Sequence, residues 1–126
     1  MSDDDAPSNS DVPEPRPGPD VRLRARLRLL PGGEGRTEPI CGPVSYRPVC
    51  NFYGPDNLIS ALGVIDLPAG AVLSPGESLD VDMWFVRFPW PMAELSPGRE
   101  WRLQEGRRLV GFGVALEILE TSASNT

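Results

Sequence analysis

Histidine and lysine are absent from this 126-residue chain, and cysteine occurs only at Cys41 and Cys50. Without histidine there is no Ser–His–Asp triad and no His-ligated metal site. The two cysteines lack a CxxC spacing and exclude a disulfide-dense scaffold; they read as small buried side chains of a reducing cytosol. No nucleophile, base and orienting group come together, and Glu100 and Glu105 have no evident partner for acid–base work, so no catalytic residue, cofactor or metal is expected. Long apolar runs are also missing. Nothing approaches the ~18 residues of a membrane span, and the start has neither a basic nor an apolar signal region, so a cytoplasmic protein away from membranes is expected. A GxxxxGK[ST] phosphate loop is lacking, and GTP binding is not expected.

Proline and glycine are abundant instead, at 15 and 13 residues, which disfavours long helices and favours a turn-rich β fold. The net charge is −6. Residues 1–19 carry five acids against Arg16, a balance of −4; the remaining residues carry 13 acids against 11 arginines, or −2. Such a balance is the opposite of what phosphate neutralisation requires.

Residues 1–20 are rich in Asp, Ser and Pro and poor in apolar side chains, and are expected to form a disordered acidic leader whose removal leaves the fold intact. From Val21 the pattern changes. Arg22, Arg24, Arg26 and Arg28 alternate with Leu23, Ala25, Leu27 and Leu29, which predicts a strand with arginines on one face. Further strands are predicted over 46–53, 58–67, 78–87, 100–104 and 108–119, with a short edge segment between 36 and 43. In the last, longest strand, Val110, Phe112, Val114, Leu116 and Ile118 form one apolar file, with Gly111 and Gly113 on the other face. Residues 121–126 read as a polar tail. About six strands joined by short turns over 21–120 suit a small barrel or sandwich, and closure into a barrel removes exposed edges.

Four segments in order, Gly35-Arg36-Thr37-Glu38-Pro39, Tyr46-Arg47-Pro48, Ser74-Pro75-Gly76-Glu77 and Glu105 through Val114, resemble landmarks of the C-terminal β-barrel, the third domain, of elongation factor Tu. The resemblance spans about Val21 to Leu119. It implies an all-β fold, a closed six-stranded antiparallel β-barrel standing without a GTPase domain. It also implies a binding role, because in that family the barrel packs on the G domain, helps bind elongation factor Ts and touches the T arm of aminoacyl-tRNA. The tRNA-facing stretches correspond to Gly35-Arg36-Thr37 and to Gln104-Glu105-Gly106-Arg107-Arg108-Leu109. Gln104 and Leu109 depart from the family pattern, and Gly42-Pro43-Val44-Ser45 lengthens a loop.

The expected function is therefore a non-catalytic protein-binding module that engages partners of that domain, in translation or in a protective, immunity-like role. The alternative is an RNA-binding protein with a residual tRNA site, ranked below a protein partner. Candidate binding residues are Arg36, Thr37, Tyr46, Arg47, Trp84, Trp90, Gln104, Glu105, Gly106, Arg107 and Arg108. Trp84, in register with Asp80 and Asp82, and Trp90, between two prolines, are expected to face outward and to share a face with the turn at 105–107; Trp101 is expected in the core. The arginine stripe is read as pairing across strands with Asp80 and Asp82 rather than as a nucleic-acid face.

Overall fold

The structure, a computed structural model, describes residues 13–54 and 59–122. Nine strands follow in order: β1 (Val21–Leu29), β2 (Ile40–Cys41), β3 (Val44–Tyr46), β4 (Val49–Asn51), β5 (Ala61–Leu67), β6 (Val72–Leu73), β7 (Ser78–Val86), β8 (Glu100–Glu105) and β9 (Arg108–Thr121). Six of them close a ring, β1–β9–β8–β4–β5–β7, in which every neighbour is antiparallel and β7 returns to β1. This is the closed six-stranded antiparallel barrel, and among the described residues no sheet edge is left open around the ring. A β2–β6 ribbon lies beside the ring, and a 3-10 turn spans Met92–Leu95.

β3 and β4 act as one strand position. Tyr46 pairs with Ile65 and Val49 with Leu62, an identical offset along β5, and the ladder breaks only at Arg47–Pro48. Proline has no amide hydrogen to donate to a ladder, which accounts for the break.

The period-two pattern of β1 decides which way it faces. Val21, Leu23, Ala25, Leu27 and Leu29 are fully buried inside the barrel, while Arg24, Arg26 and Arg28 are exposed on its wall. β7 answers in register: Arg22, Arg24 and Arg26 stand opposite Trp84, Asp82 and Asp80. Arg26 Nε reaches Asp80 at 2.7 Å, and Arg22 and Arg24 each reach Asp82 at 3.0 Å. Arg22 also reaches Glu120 at 3.3 Å. Three of the four stripe arginines are thus paired with carboxylates on neighbouring strands, while Arg28 stands opposite Ser78.

β9 departs from the expected file. The offset between β8 and β9 shifts between Leu103 and Gln104, and that between β1 and β9 shifts twice near Leu23 to Ala25. Each shift adds a residue to β9 and reverses which face follows, as a β-bulge does. Val110 is buried, but Phe112 is 36 % exposed, and Gly111, Gly113 and Ala115 face the interior. The inward glycine has a packing reason: a Cβ on Gly113 would lie 2.5 Å from Cε2 and Nε1 of Trp101.

One end of the barrel is filled by Phe52, Phe85, Phe88, Trp90 and Trp101. Their ring centroids lie 5.1 to 5.7 Å apart in mostly edge-on or tilted pairs. Such arrangements place ring edges near ring faces, which the aromatic quadrupole favours. Of the expected leader, residues 1–12 lie outside the described residues. Residues 13–20 form no helix or strand, yet they run along this aromatic end. Trp90 Nε1 donates to Pro13 O at 3.1 Å, Arg16 N to Pro89 O at 3.0 Å and Phe88 N to Pro19 O at 2.8 Å. Arg87, held at φ +50° where β7 ends, donates its amide to Asp20 Oδ1 at 2.8 Å.

Candidate functional site

The opposite end of the barrel gathers the segments that carry the sequence motifs. β8 and β9 meet in the turn Glu105-Gly106-Arg107-Arg108, with Gly106 at φ +64° in the first central position. Glycine takes that conformation without a Cβ penalty, as two-residue hairpins with a positive first φ require. The turn projects Glu105 toward two distant side chains. Tyr46 Oη donates to Glu105 Oε2 at 2.6 Å, and Arg36 Nη1 reaches the same oxygen at 2.5 Å. Arg36 Nε also donates to Glu38 O at 3.1 Å, and the guanidinium carbon lies 5.8 Å from the centre of the Tyr46 ring. Arg108 Nη2 donates to Gly35 O, tying the strand after the turn to the loop that carries Arg36.

Gln104, just before the turn, is 8 % exposed. Its Nε2 donates to Gly106 O at 3.3 Å, and its Oε1 accepts from Asn51 Nδ2 at 3.3 Å. Asn51 Oδ1 in turn accepts the Tyr53 amide at 3.0 Å. Gln104 therefore braces the hairpin from behind. Thr37, Arg47 and Arg107 are exposed on this end, with Arg47 Nε 3.4 Å from Ser45 Oγ.

The electrostatics of the cluster are mutually consistent. Burial alone pushes the Glu105 carboxyl up, but the hydrogen bonds from Tyr46 and Arg36 and the charges of Arg36 and Arg108 outweigh it and hold the group below its ordinary value. Burial and the bond to Glu105 push the Tyr46 phenol above its ordinary value. An ionised acceptor, a locked phenol and a guanidinium make a satisfied network, which suits a fixed surface shape more than proton transfer.

Two expectations for the tryptophans are corrected or refined. Trp90 is not on the surface: it is 4 % exposed, packed on Phe52, Tyr53 and Phe88, and its indole N–H is bonded to Pro13. The flanking prolines turn the chain inward, and local sequence does not reveal that direction. Trp84 is half-buried on the outer wall, between Arg22 and Val64. The shared face of Trp90 and the 105–107 turn does not form. Trp90 packs on Phe52 and so beside Trp101, and Trp101 and Glu105 lie at opposite ends of β8, ~13 Å apart at the ordinary strand rise. The cysteines divide as well: Cys50 is buried, where the apolar surroundings push its thiol pKa up, but Cys41 is exposed.

A second network at the aromatic end went unread in the sequence. Tyr53 Oη donates to Glu94, Arg99 Nη1 reaches Glu94 Oε1 at 3.1 Å, and Arg99 Nη2 donates to Phe52 O at 3.2 Å. The Arg99 guanidinium lies 5.2 and 5.1 Å from the ring centres of Phe52 and Tyr53. Both ends thus carry a tyrosine and an arginine converging on one glutamate. No spacing pattern announces either set, because its members sit in different loops and strands.

Among the described residues, no group of three or more acidic, Cys or His side chains is placed to hold a metal ion. No helix among them is long and apolar enough to cross a membrane. No family model matches the sequence.

Proposed function

We propose that this chain is a non-catalytic protein-binding module that resembles the third domain of elongation factor Tu and engages partners of that domain from the cytoplasm, in translation or as a protective factor. One observation carries the reading. The segments on which the resemblance rests converge on one end of the barrel: Arg36 and Tyr46 on Glu105, Arg108 on Gly35, and the Ser74–Glu77 turn through the 3.1 Å bond from Gly76 N to Leu29 O. Their internal bonds hold a surface in one shape and leave Thr37, Arg47 and Arg107 toward solvent, the preorganisation that lowers the ordering cost of association. Arginine at such a position is a frequent binding hot spot.

RNA is the second reading, supported by the four arginines 36, 47, 107 and 108 at this end. Arg36 is neutralised by Glu105 and Arg108 is committed to Gly35 O, which leaves little free charge to displace counterions. Calorimetric titration with purified elongation factor Ts and with the elongation factor Tu G domain, alongside filter binding of tRNA, separates the readings. Saturable binding of either protein, weakened by about 1 kcal/mol or more in Arg107→Glu with folding intact, is the expected result. Binding of tRNA that falls steeply between 50 and 200 mM salt and is lost in Arg36→Glu promotes the RNA reading. No binding of any of them removes the first.

A further inference from the structure

Arg28 is the member of the β1 stripe that the acidic file of β7 does not reach. Arg22 and Arg24 are bonded to Asp82 and Arg26 to Asp80, but the register sets Arg28 opposite Ser78 on β7 and Phe112 on β9. On the far side of Phe112 stands Arg102 of β8. Its Nε is buried with no hydrogen-bond acceptor among the described residues. Two arginines without a carboxylate partner among the described residues thus flank an aromatic ring that is 36 % exposed. Adjacent strands are ~4.8 Å apart, so the two arginine backbones stand ~10 Å apart with Phe112 between them. A shallow groove of about 150 Å³ lies on the Arg28 side of this ring; Arg26, Arg28, Ser78, Glu100 and Phe112 are among its lining residues, and Arg102 borders the ring from the other side.

We propose that this outer wall binds an acidic peptide of a partner protein, two of whose carboxylates meet Arg28 and Arg102 while an apolar side chain between them covers Phe112. Guanidinium forks match carboxylates two bonds at a time, and an exposed ring between them supplies the apolar contact. Charge complementarity selects the occupant. Glu100 borders the same groove, and Glu117 stands opposite Arg24 on the neighbouring β9. A nucleic-acid strand, charged at every step, meets these acids as well as the arginines; a peptide places its charge only where the guanidinium groups stand. The wall is distinct from the Tyr46–Glu105 end, and the inference does not rest on the function proposed for that end.

Fluorescence anisotropy of the full chain with labelled Glu-Glu-Leu-Glu-Glu tests it, beside Gln-Gln-Leu-Gln-Gln and labelled hexauridylate. Saturable binding of the acidic peptide at 50 mM salt is expected, at least tenfold tighter than that of the neutral peptide. Arg28→Gln and Phe112→Ser should each weaken it at least tenfold with unchanged circular dichroism, and Arg16→Gln, at the other end of the barrel, should not. Equal affinity for the neutral peptide, absence of saturation, or retention of affinity in both wall variants overturns the proposal. Tighter binding of hexauridylate than of the acidic peptide also overturns it and makes the wall a nucleic-acid surface.

Discussion

The Tyr46 hydroxyl and the Glu105 carboxylate, 59 positions apart, share a 2.6 Å hydrogen bond that fastens β3 to the β8–β9 turn. Removing the hydroxyl leaves Glu105 with the Arg36 bond and the more distant charge of Arg108. Tyr46→Phe should therefore lower stability by about 1.5–3 kcal/mol, the range for a bond to a charged group. A double-mutant cycle with Glu105→Gln in urea unfolding checks this; additive losses would mean that the two groups do not act together.

The same pair shapes both limbs of the pH–stability curve. The Glu105 and Glu94 carboxyls have folded-state pKa values below their ordinary 4.5, Glu105 because its bonds to Tyr46 and Arg36 outweigh burial, Glu94 chiefly through Tyr53. A depressed pKa means stability that is complete above the unfolded value and lost as pH falls through the folded one, so acid lability should set in below pH ~4.5. The Tyr46 phenol is raised above 10.0, so its share is complete below pH ~10 and is lost at more alkaline pH. Unfolding midpoints from pH 2.5 to 11 should show both limbs, and Glu105→Gln should flatten the acid one. An unchanged acid limb in that variant would remove Glu105 as its source.

Gly113 faces the Trp101 indole with no room for a methyl group. Gly113→Ala forces either the ring or the β9 backbone to move, at about 1–3 kcal/mol for an overpacked core. Thermal unfolding together with near-ultraviolet circular dichroism, which reports the tryptophan environment, should register both the loss and the displaced ring.

Trp90 tests burial against surface exposure. As a core residue at 4 % exposure, its replacement in Trp90→Ala should cost about 3–5 kcal/mol of stability. A stability change under ~0.5 kcal/mol, the range of surface substitutions, would return Trp90 to the surface.

Residues 13–20 bond to Arg87, Phe88, Pro89 and Trp90, so truncation has two distinct outcomes. A chain beginning at Pro13 should match the full chain in urea midpoint, because residues 1–12 contain little apolar surface to bury. A chain beginning at Val21 should lose about 1–3 kcal/mol, since several bonds and the cover of Trp90 go together. Equal midpoints for all three would show that residues 13–20 add nothing to the fold.

What the sequence determined by itself follows from period two. In β1 and β7 each second side chain must share a face, so Leu23, Ala25 and Leu27 went inward with Val81, Met83 and Phe85, and Arg26 met Asp80 outside. Turn chemistry at Pro31–Gly35 and Glu105–Arg108 likewise set the strand count that a closed barrel needs. The tertiary structure alone decided where that period fails. Bulges in β9 turned Phe112 out and Gly113 in, and their positions depend on the strands alongside rather than on β9 itself. Loops were the other blind spot. Trp90 went into the core and Arg36, Tyr46 and Glu105 came together because ring closure brings segments dozens of residues apart to one barrel end, and no local pattern encodes a meeting fixed by closure.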